Sequence, residues 1–537
     1  MNKIRFKIIC SILLTVFVLT MFTGCGPKTE TAADEAQTQE EAVAEEESSE
    51  AEVAESSDAP AEEGKDTIVI AMANEPPSLT TNDHNAIYAD YMNQLTNNGL
   101  FRLDENSMPV PDLVESYENV SDTEWLFTIY EGVKFHDGST MTADDIKASL
   151  DWAKTFAAVT PYTMSYTAVE VVDDQTVKII TDGPSSTLLF DLAHHANYIL
   201  PKALIDAGHN FNEEPVGSGP YKFVSWTIGD KMEFTRFDDY FDAEAMPAIK
   251  NIVWKFIPEG SARSIGLETG EIDLLVEVDT TDITRLQENE DIDVLIATGY
   301  THWWLMLNNE APPFDNALVR KAISAAIDRD AVIEVSLDGL GEKVISQTPS
   351  YMMGSTDTNA EGYDVEKAKQ YLAESGIDPA SIKLEVICSS EQKLKATEVI
   401  QANLAEIGIT DVAPVSMDLA TYLTATGEGN YTGSIGGYQA SNMIAFLQGT
   451  FHSSSINGSN KTRFNNPEVD ALIDEAASTI DDAKREALLI EATELLNELA
   501  PQAPIWQSVN VRAYSKDLGG VALNAAGVLR VNMLYWK

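Results

Sequence analysis

Phe127-Thr128-Ile129-Tyr130-Glu131-Gly132-Val133-Lys134-Phe135-His136-Asp137-Gly138, running on to Thr142-Ala143-Asp144-Asp145-Ile146, carries more structural information than any other stretch of this chain. Its first residues continue an alternating run over 125–130, apolar on one face and polar on the other, as a half-buried strand requires. Gly132 and Gly138 then flank a short segment whose Val133 and Phe135 share one face, which suits a tight turn at each end. Working outward, similar β-branched or alternating runs recur at 67–73, 169–172 (turning through Asp173-Asp174 into 176–181), 232–237 and 252–256.

The second half of the chain changes period. Asp364 is placed to cap a helix with Ala368, Tyr371 and Leu372 on one face and Gly376 at its exit. A second helix spans about 394–407, with Gly408 beyond it. Asn466-Pro467 reads as a cap followed by proline in the first turn, and Asp482 opens a helix carrying Leu488, Leu489, Ala492, Leu495, Leu496 and Leu499. Strands and helices interleave over more than four hundred residues, too many for one core. This predicts an α/β architecture in two or three lobes.

Several of these segments, in this order, resemble the signature of the family 5 extracellular solute-binding proteins, the peptide and nickel receptors of bacterial ABC importers. The matching segments are 111–117 (PDLVESY), 127–138, 142–146, Gly217-Ser218-Gly219-Pro220-Tyr221, Gly270-Glu271-Ile272-Asp273, Pro312-Pro313-Phe314-Asp315, Val319-Arg320-Lys321-Ala322, 325–329 (AAIDR) and 465–470 (NNPEVD). The resemblance covers about the whole globular part. It implies a bilobal, type II periplasmic-binding-protein-like α/β fold. Lobe I would be 66–304 with a subdomain inserted at about 105–210, lobe II 305–499, and 500–537 would return to lobe I. It also implies capture of a ligand between lobes joined near 299–308 and 499–504, and delivery to ABC permease subunits by a monomer. The bland reading of each motif is structural: no Gly-Lys-Ser/Thr follows Gly217-Ser218-Gly219-Pro220, so a sharp chain reversal is expected there rather than a phosphate cradle, and His136 is expected to be structural.

Carried onto this sequence residue by residue, the resemblance places ligand contacts in three segments. The first is His84, Asn85, Ala86 and Ile87, after Ser78-Leu79. The second is His302-Trp303-Trp304 on the crossing strand. The third is Tyr438, Gln439, Ala440 and Ser441 in Gly437-Tyr438-Gln439-Ala440-Ser441-Asn442. Adjacent tryptophans on an extended segment point to opposite faces, so at most one faces the cleft; the resemblance favours Trp304. Ser441 stands where peptide-binding members carry the aspartate that pairs with the ligand's ammonium. Either another acidic residue substitutes, or the ligand is not a free-amine peptide. Taken alone, Ser441 beside Tyr438, Trp304, His84 and Asn85 predicts weak binding of simple di- and tripeptides, with blocked or longer peptides, metal chelates or sugars preferred.

The N-terminus reads as an export signal. Lys3, Arg5 and Lys7 precede an apolar run over 8–22 that is short for a bilayer span. Phe22-Thr23-Gly24-Cys25 looks like a lipobox, with Phe22 in place of the usual leucine; residues 1–24 would be removed and Cys25 diacylated, the only membrane attachment. Nothing between Lys28 and Lys65 is basic or aromatic, which predicts a disordered tether over 25–65. A random coil of about forty residues spans roughly 35 Å. The expected location is the outer face of the cytoplasmic membrane or the periplasm.

Composition narrows the alternatives. A formal net charge of −51 argues against a nucleic-acid partner. Cys25 and Cys388 cannot form a structural disulfide framework, and Cys388 is expected to be buried in a strand. The seven histidines show no metal-ligand spacing beyond the adjacent pair His194-His195, a poor bidentate pair. No nucleophile elbow, zinc-protease motif or phosphate loop is present, so the expectation is a binding protein, not an enzyme, with no cofactor. A ligand-binding sensor without transport remains the rival function.

Overall fold

The alternating runs become the strands Thr67–Met72, Glu124–Ile129, Ala168–Val171, Thr176–Ile180, Lys231–Arg236 and Asn251–Phe256. The computed structural model describes residues 65–523, 525, 527 and 529–537, except for the side chain of Ile87. The signal segment, Cys25 and the acidic stretch to residue 64 lie outside the described residues. Those described fall in one compact unit, Glu62–Lys537.

Most strands join one mixed sheet. Its order is Asp411–Ser416, Lys383–Cys388, Gly433–Tyr438, Ile292–Leu307, Gln502–Ser515, Leu274–Leu275, Thr67–Met72, Asn251–Phe256, Lys231–Arg236, Tyr221–Thr227, with Glu342–Lys343 also pairing Gln502–Ser515. The two central strands hold the arrangement together. Ile292–Leu307 has 16 residues, about 50 Å at the usual rise, and pairs antiparallel with the 14-residue Gln502–Ser515. One end of this ribbon meets Leu274–Leu275, and the other pairs His302–Leu307 with Gly433–Tyr438. The register shifts between Thr298 and His302, where the chain passes from one set of neighbours to the other. Such an irregularity bends a strand locally.

Separate cores lie on either side of that shift. Ile68, Ile70, Trp254 and Phe234 belong to one; Leu384, Val386, Val319, Ile400 and Leu404 belong to another. A four-stranded sheet, Val114–Ser121, Glu124–Ile129, Thr176–Ile180 and Ala168–Val171, forms the additional subdomain. Its core contains Phe127, Ile129, Val133 and Phe135 from the motif region, with Ile146 and Leu150 of the helix Ala143–Ala153. Val133 and Phe135 share a buried face as expected, but Lys134 makes only an isolated bridge to Thr140 rather than entering a strand.

The helix caps follow the sequence. Asp364 accepts the Lys367 amide at the start of Val365–Ser375, which ends on Gly376 at φ 71°. Asn466 accepts the amides of Glu468 and Val469 to open Pro467–Ser478. Asp482 opens the helix Asp482–Leu499 as expected, and Asp481 caps it by accepting the Lys484 amide. Each such cap contributes about 1 kcal/mol. Cys388 is buried at the end of its strand.

The motif residues act as fasteners. A Cβ at position 219 would sit 2.5 Å from the backbone of Leu95, Thr96 and Asn97, so only glycine lets this reversal pack against the end of the helix Ile87–Thr96. His136 clamps the same reversal: its Nε2 donates to the Gly219 carbonyl at 2.9 Å, and its backbone amide donates to the Gly217 carbonyl. Buried Arg320 donates to the carbonyls of Phe314, Leu499 and Ala500. Buried Arg329 donates to those of Val344 and Pro504, tying its helix to the central ribbon.

Candidate ligand-binding site

The helix Ile87–Thr96 begins without a side-chain cap, straight after the loop that holds His84 and Asn85. His84 is engaged within that loop. A carbonyl can only accept and an amide only donate, so its Nε2 donates to Ser78 O at 3.1 Å while its Nδ1 accepts the Ala86 amide at 3.2 Å. Asn85 is exposed and donates to the Tyr162 hydroxyl at 3.2 Å. Beyond it opens a cavity of about 290 Å³. Asn85, Ala86 and Asp90 line one side; Tyr300, Gln439, Ala440 and Ser441 line another. Two of the three expected segments therefore meet across one cavity, drawn from chain stretches more than three hundred residues apart.

The third segment divides. Trp304, which the sequence favours for the cleft, is 3% exposed and packs edge-on against Phe446, with ring centroids 6.1 Å apart. It lines neither this cavity nor the second one. Trp303 takes the opposite face, stacks on Trp506 at 5.5 Å, and lines the second cavity, of about 470 Å³, with Met72, Tyr88 and Gln392. Neither ring lines the first cavity: the strand turns its Trp304 face into the core built by Phe446, Phe451 and Leu496, and its Trp303 face towards the second cavity. His302 is wholly buried; its Nε2 donates to Ser346 O, and burial lowers its pKa to about 3, so it is neutral at ordinary pH.

Tyr438 ends its strand against Phe446 and does not line the cavity. Its hydroxyl sits 2.2 Å from where a Cβ at position 449 would be, which is why glycine stands there. Gln439 is exposed and accepts from the Thr301 hydroxyl at 3.1 Å. Ser441 Oγ accepts from Asn442 at 3.3 Å, and Asn442 caps the helix Met443–Thr450.

The sequence reading missed the charged lining. Asp90, Arg102, Asp112 and Arg530 all face the cavity. Asp90 Oδ2 accepts from Gln94 at 2.7 Å, and the buried carboxylate, with the Tyr198 phenol beside it, helps push that phenol's pKa well above its ordinary value. Asp112 accepts from Asn98 Nδ2 at 3.0 Å and the Gly99 amide at 3.3 Å; burial pushes its pKa up despite these bonds. His194 and His195 also line the cavity, and burial lowers the pKa of both, so they present neutral rings. His194 lies flat on Tyr162 at 3.5 Å. The two imidazoles stand 78° apart, and among the described residues no three acidic, histidine or cysteine side chains converge as a metal site. No helix among the described residues is long and apolar enough to cross a membrane.

Comparison with known proteins agrees with this geometry. The family model for bacterial extracellular solute-binding proteins, family 5 (middle), matches residues 108–458. The glutathione-binding protein GsiB of Pectobacterium atrosepticum is 29% identical over 84% of this chain and 90% of its own. Heme-binding protein A of Haemophilus influenzae is 28% identical over 78% of this chain and 82% of its own. The solved structure of HbpA2 from Haemophilus parasuis shares the fold, with a TM-score of 0.81 and 24% identity over 88% of this chain and all of that one. An α/β chain with a long two-stranded ribbon between separate cores, a cavity lined from both sides of it and a family match over most of its length is thereby placed: it belongs to the family 5 bacterial extracellular solute-binding proteins, which capture a solute and deliver it to the permease of an ABC importer.

Proposed function

We propose that this chain is the lipid-anchored receptor of an importer for peptide-like solutes, acting as a monomer at the outer face of the cytoplasmic membrane. In this reading 66–304 and 500–537 form one lobe and 305–499 the other, and the solute is enclosed where Asn85–Asp90 faces Gln439–Ser441. The observation that carries it is the cavity lined by these two stretches, the second of which follows the strand end Tyr438 that pairs with His302 beside the register shift of the central ribbon. Hinge closure about such a ribbon is a common way to bury a ligand. The relative named for binding glutathione, a small peptide, supports the same solute class. Ser441 carries no charge, but Asp90 is an acidic residue available to a ligand amine from across the cavity. Binding of free-amine peptides therefore takes the place of the weak binding that Ser441 alone suggests.

Solute recovered from natively purified protein and identified by mass spectrometry should, when added back at saturation, shrink the radius of gyration in small-angle scattering. An unchanged radius counts against enclosure between lobes. The anchor is tested separately: a fatty-acid analogue fed to cells should label the wild type and not Cys25→Ser, and equal labelling of both removes Cys25 from the proposal.

A further inference from the structure

Where the pairing of the two central strands slips, the ribbon also touches the first cavity. Thr298 pairs with Val509 and His302 with Gln507, so Gly299, Tyr300 and Thr301 face the single residue Ser508. A strand carrying surplus residues leaves its regular ladder there and bends. Each residue from 298 to 301 is tied to a side chain from outside the strand. The Thr298 hydroxyl donates to the Glu342 carboxylate. Gln507 Nε2 donates to the Gly299 carbonyl at 2.9 Å. The Tyr351 hydroxyl donates to the Tyr300 carbonyl at 3.3 Å, and the two rings stack with centroids 5.2 Å apart. The Thr301 hydroxyl donates to Gln439 Oε1 at 3.1 Å.

These ties are themselves joined. Ser350, next to Tyr351, donates its amide to Gln507 Oε1 at 3.3 Å and shares its hydroxyl between that oxygen and Glu342 Oε1, each at 3.3 Å. Glu342, Ser350, Tyr351 and Gln439 all come from 305–499, the stretch proposed as the second lobe. Single side-chain bonds of this kind each contribute little net free energy, so the segment can exchange partners where a continuous ladder could not. A few residues that absorb a change of backbone angle are what a hinge requires. Tyr300 carries this clamp to the solute: it lines the cavity together with Gln439. Its phenol oxygen is buried beside Ser107, and burial raises its pKa, so it enters the cavity wall as a neutral ring.

With the cavity taken as the solute site, a reading on which this inference rests, we infer that Tyr300 is a positioning residue for capture. Solute packed against its ring holds that ring on Tyr351, fixes the clamp at 298–301, and so couples occupancy of the cavity to the enclosing arrangement of the ribbon. The clamp is made in an arrangement whose cavity is lined from both sides. Loosening it lowers the fraction of molecules ready to enclose a solute and weakens apparent affinity in proportion. Neither Thr298 nor Tyr351 lines the cavity, so substitutions there act through the ribbon alone.

The test uses the full-length protein and the tightest binder selected from a random library of free-ended tripeptides. Thr298→Val and Tyr351→Phe, each removing one donor, should speed peptide dissociation about two- to tenfold with association unchanged. Hydrogen exchange at the amides of 299–301 should also be faster in both unliganded variants. In the wild type, saturating peptide should slow exchange at these amides. Tyr300→Ala should lose that slowing even at saturation, and Tyr300→Phe, which keeps the stacked ring, should retain it. Circular dichroism and the unliganded melting temperature confirm that each variant is folded; a merely structural role would lower the melting temperature without splitting dissociation from association. Unchanged dissociation in both Thr298→Val and Tyr351→Phe overturns the clamp. Wild-type exchange at 299–301 that ignores bound peptide overturns the coupling through Tyr300 and leaves the cavity a solute site. Binding of no tripeptide overturns the peptide reading itself and the coupling with it.

Discussion

The two faces of the cavity are built on different principles. The face made by the helix Ile87–Thr96, its neighbours and the C-terminal stretch carries every formal charge of the lining: Asp90, Arg102, Asp112 and Arg530. The facing residues, Tyr300, Gln439, Ala440 and Ser441, carry none. Held in advance by Gln94, Asn98 and the Gly99 amide, the acidic groups of the first face are oriented before a ligand arrives. Bringing a neutral surface over a bound charged solute would avoid stripping water from a second set of charges, and that desolvation is the expensive step. On the proposed function, the charged face would recognise the solute and the neutral face would cover it.

If the neutral side contributes through packing, its largest mutational effect should be on stability. Trp304 stands directly behind it, 3% exposed among Phe446, Met306 and Leu447. Trp304→Ala should cost about 3–5 kcal/mol of unfolding free energy, the usual range for deleting a buried tryptophan. Trp303→Ala should cost less, about 1–2 kcal/mol, because its ring is only partly buried, lines the second cavity and rests on Trp506. Denaturant titration of both variants checks the ranking. Equal losses, or a Trp304→Ala protein of wild-type stability with weakened solute binding, would break the distinction between a packed cover and a charged reader.

Much of this was legible in the sequence, for a physical reason. The periodicity of 125–130, the glycines at 132, 138 and 219 and the caps Asp364 and Asn466 act over a few residues, so local pattern suffices to read them. The loop and strand segments that meet at the cavity were reachable through family resemblance. Arg530 and Asp90 were not. Each is a single charged residue in an ordinary setting, one in a C-terminal stretch and one on a helix face, and nothing local distinguishes it from a solvated surface charge. Only the fold brings Arg530 within reach of Arg102, four hundred residues away. The tryptophan pair shows the same limit. Alternation establishes that the two rings diverge, but which face meets the core depends on Phe446 and Leu496, supplied by distant helices.

The smallest expected effect is also the sharpest probe of the comparison. Ser441→Asp restores the carboxylate that the family resemblance associates with ligand amines, and places it on the neutral face, across the cavity from Asp90. If Asp90 already satisfies the ammonium, the new carboxylate finds the cation taken. It must then be desolvated beside a like charge when the cavity closes, so affinity for free-ended tripeptides should fall modestly, by less than about tenfold, with fold stability within ~0.5 kcal/mol of wild type. In the Asp90→Asn background the same substitution should instead improve binding, because the ammonium then has only one candidate partner. The signs should differ between the two backgrounds, and a double-mutant cycle by calorimetry reads the difference directly. If Ser441→Asp tightens binding equally in both, Asp90 and position 441 act independently, and amine recognition belongs to the neutral face after all.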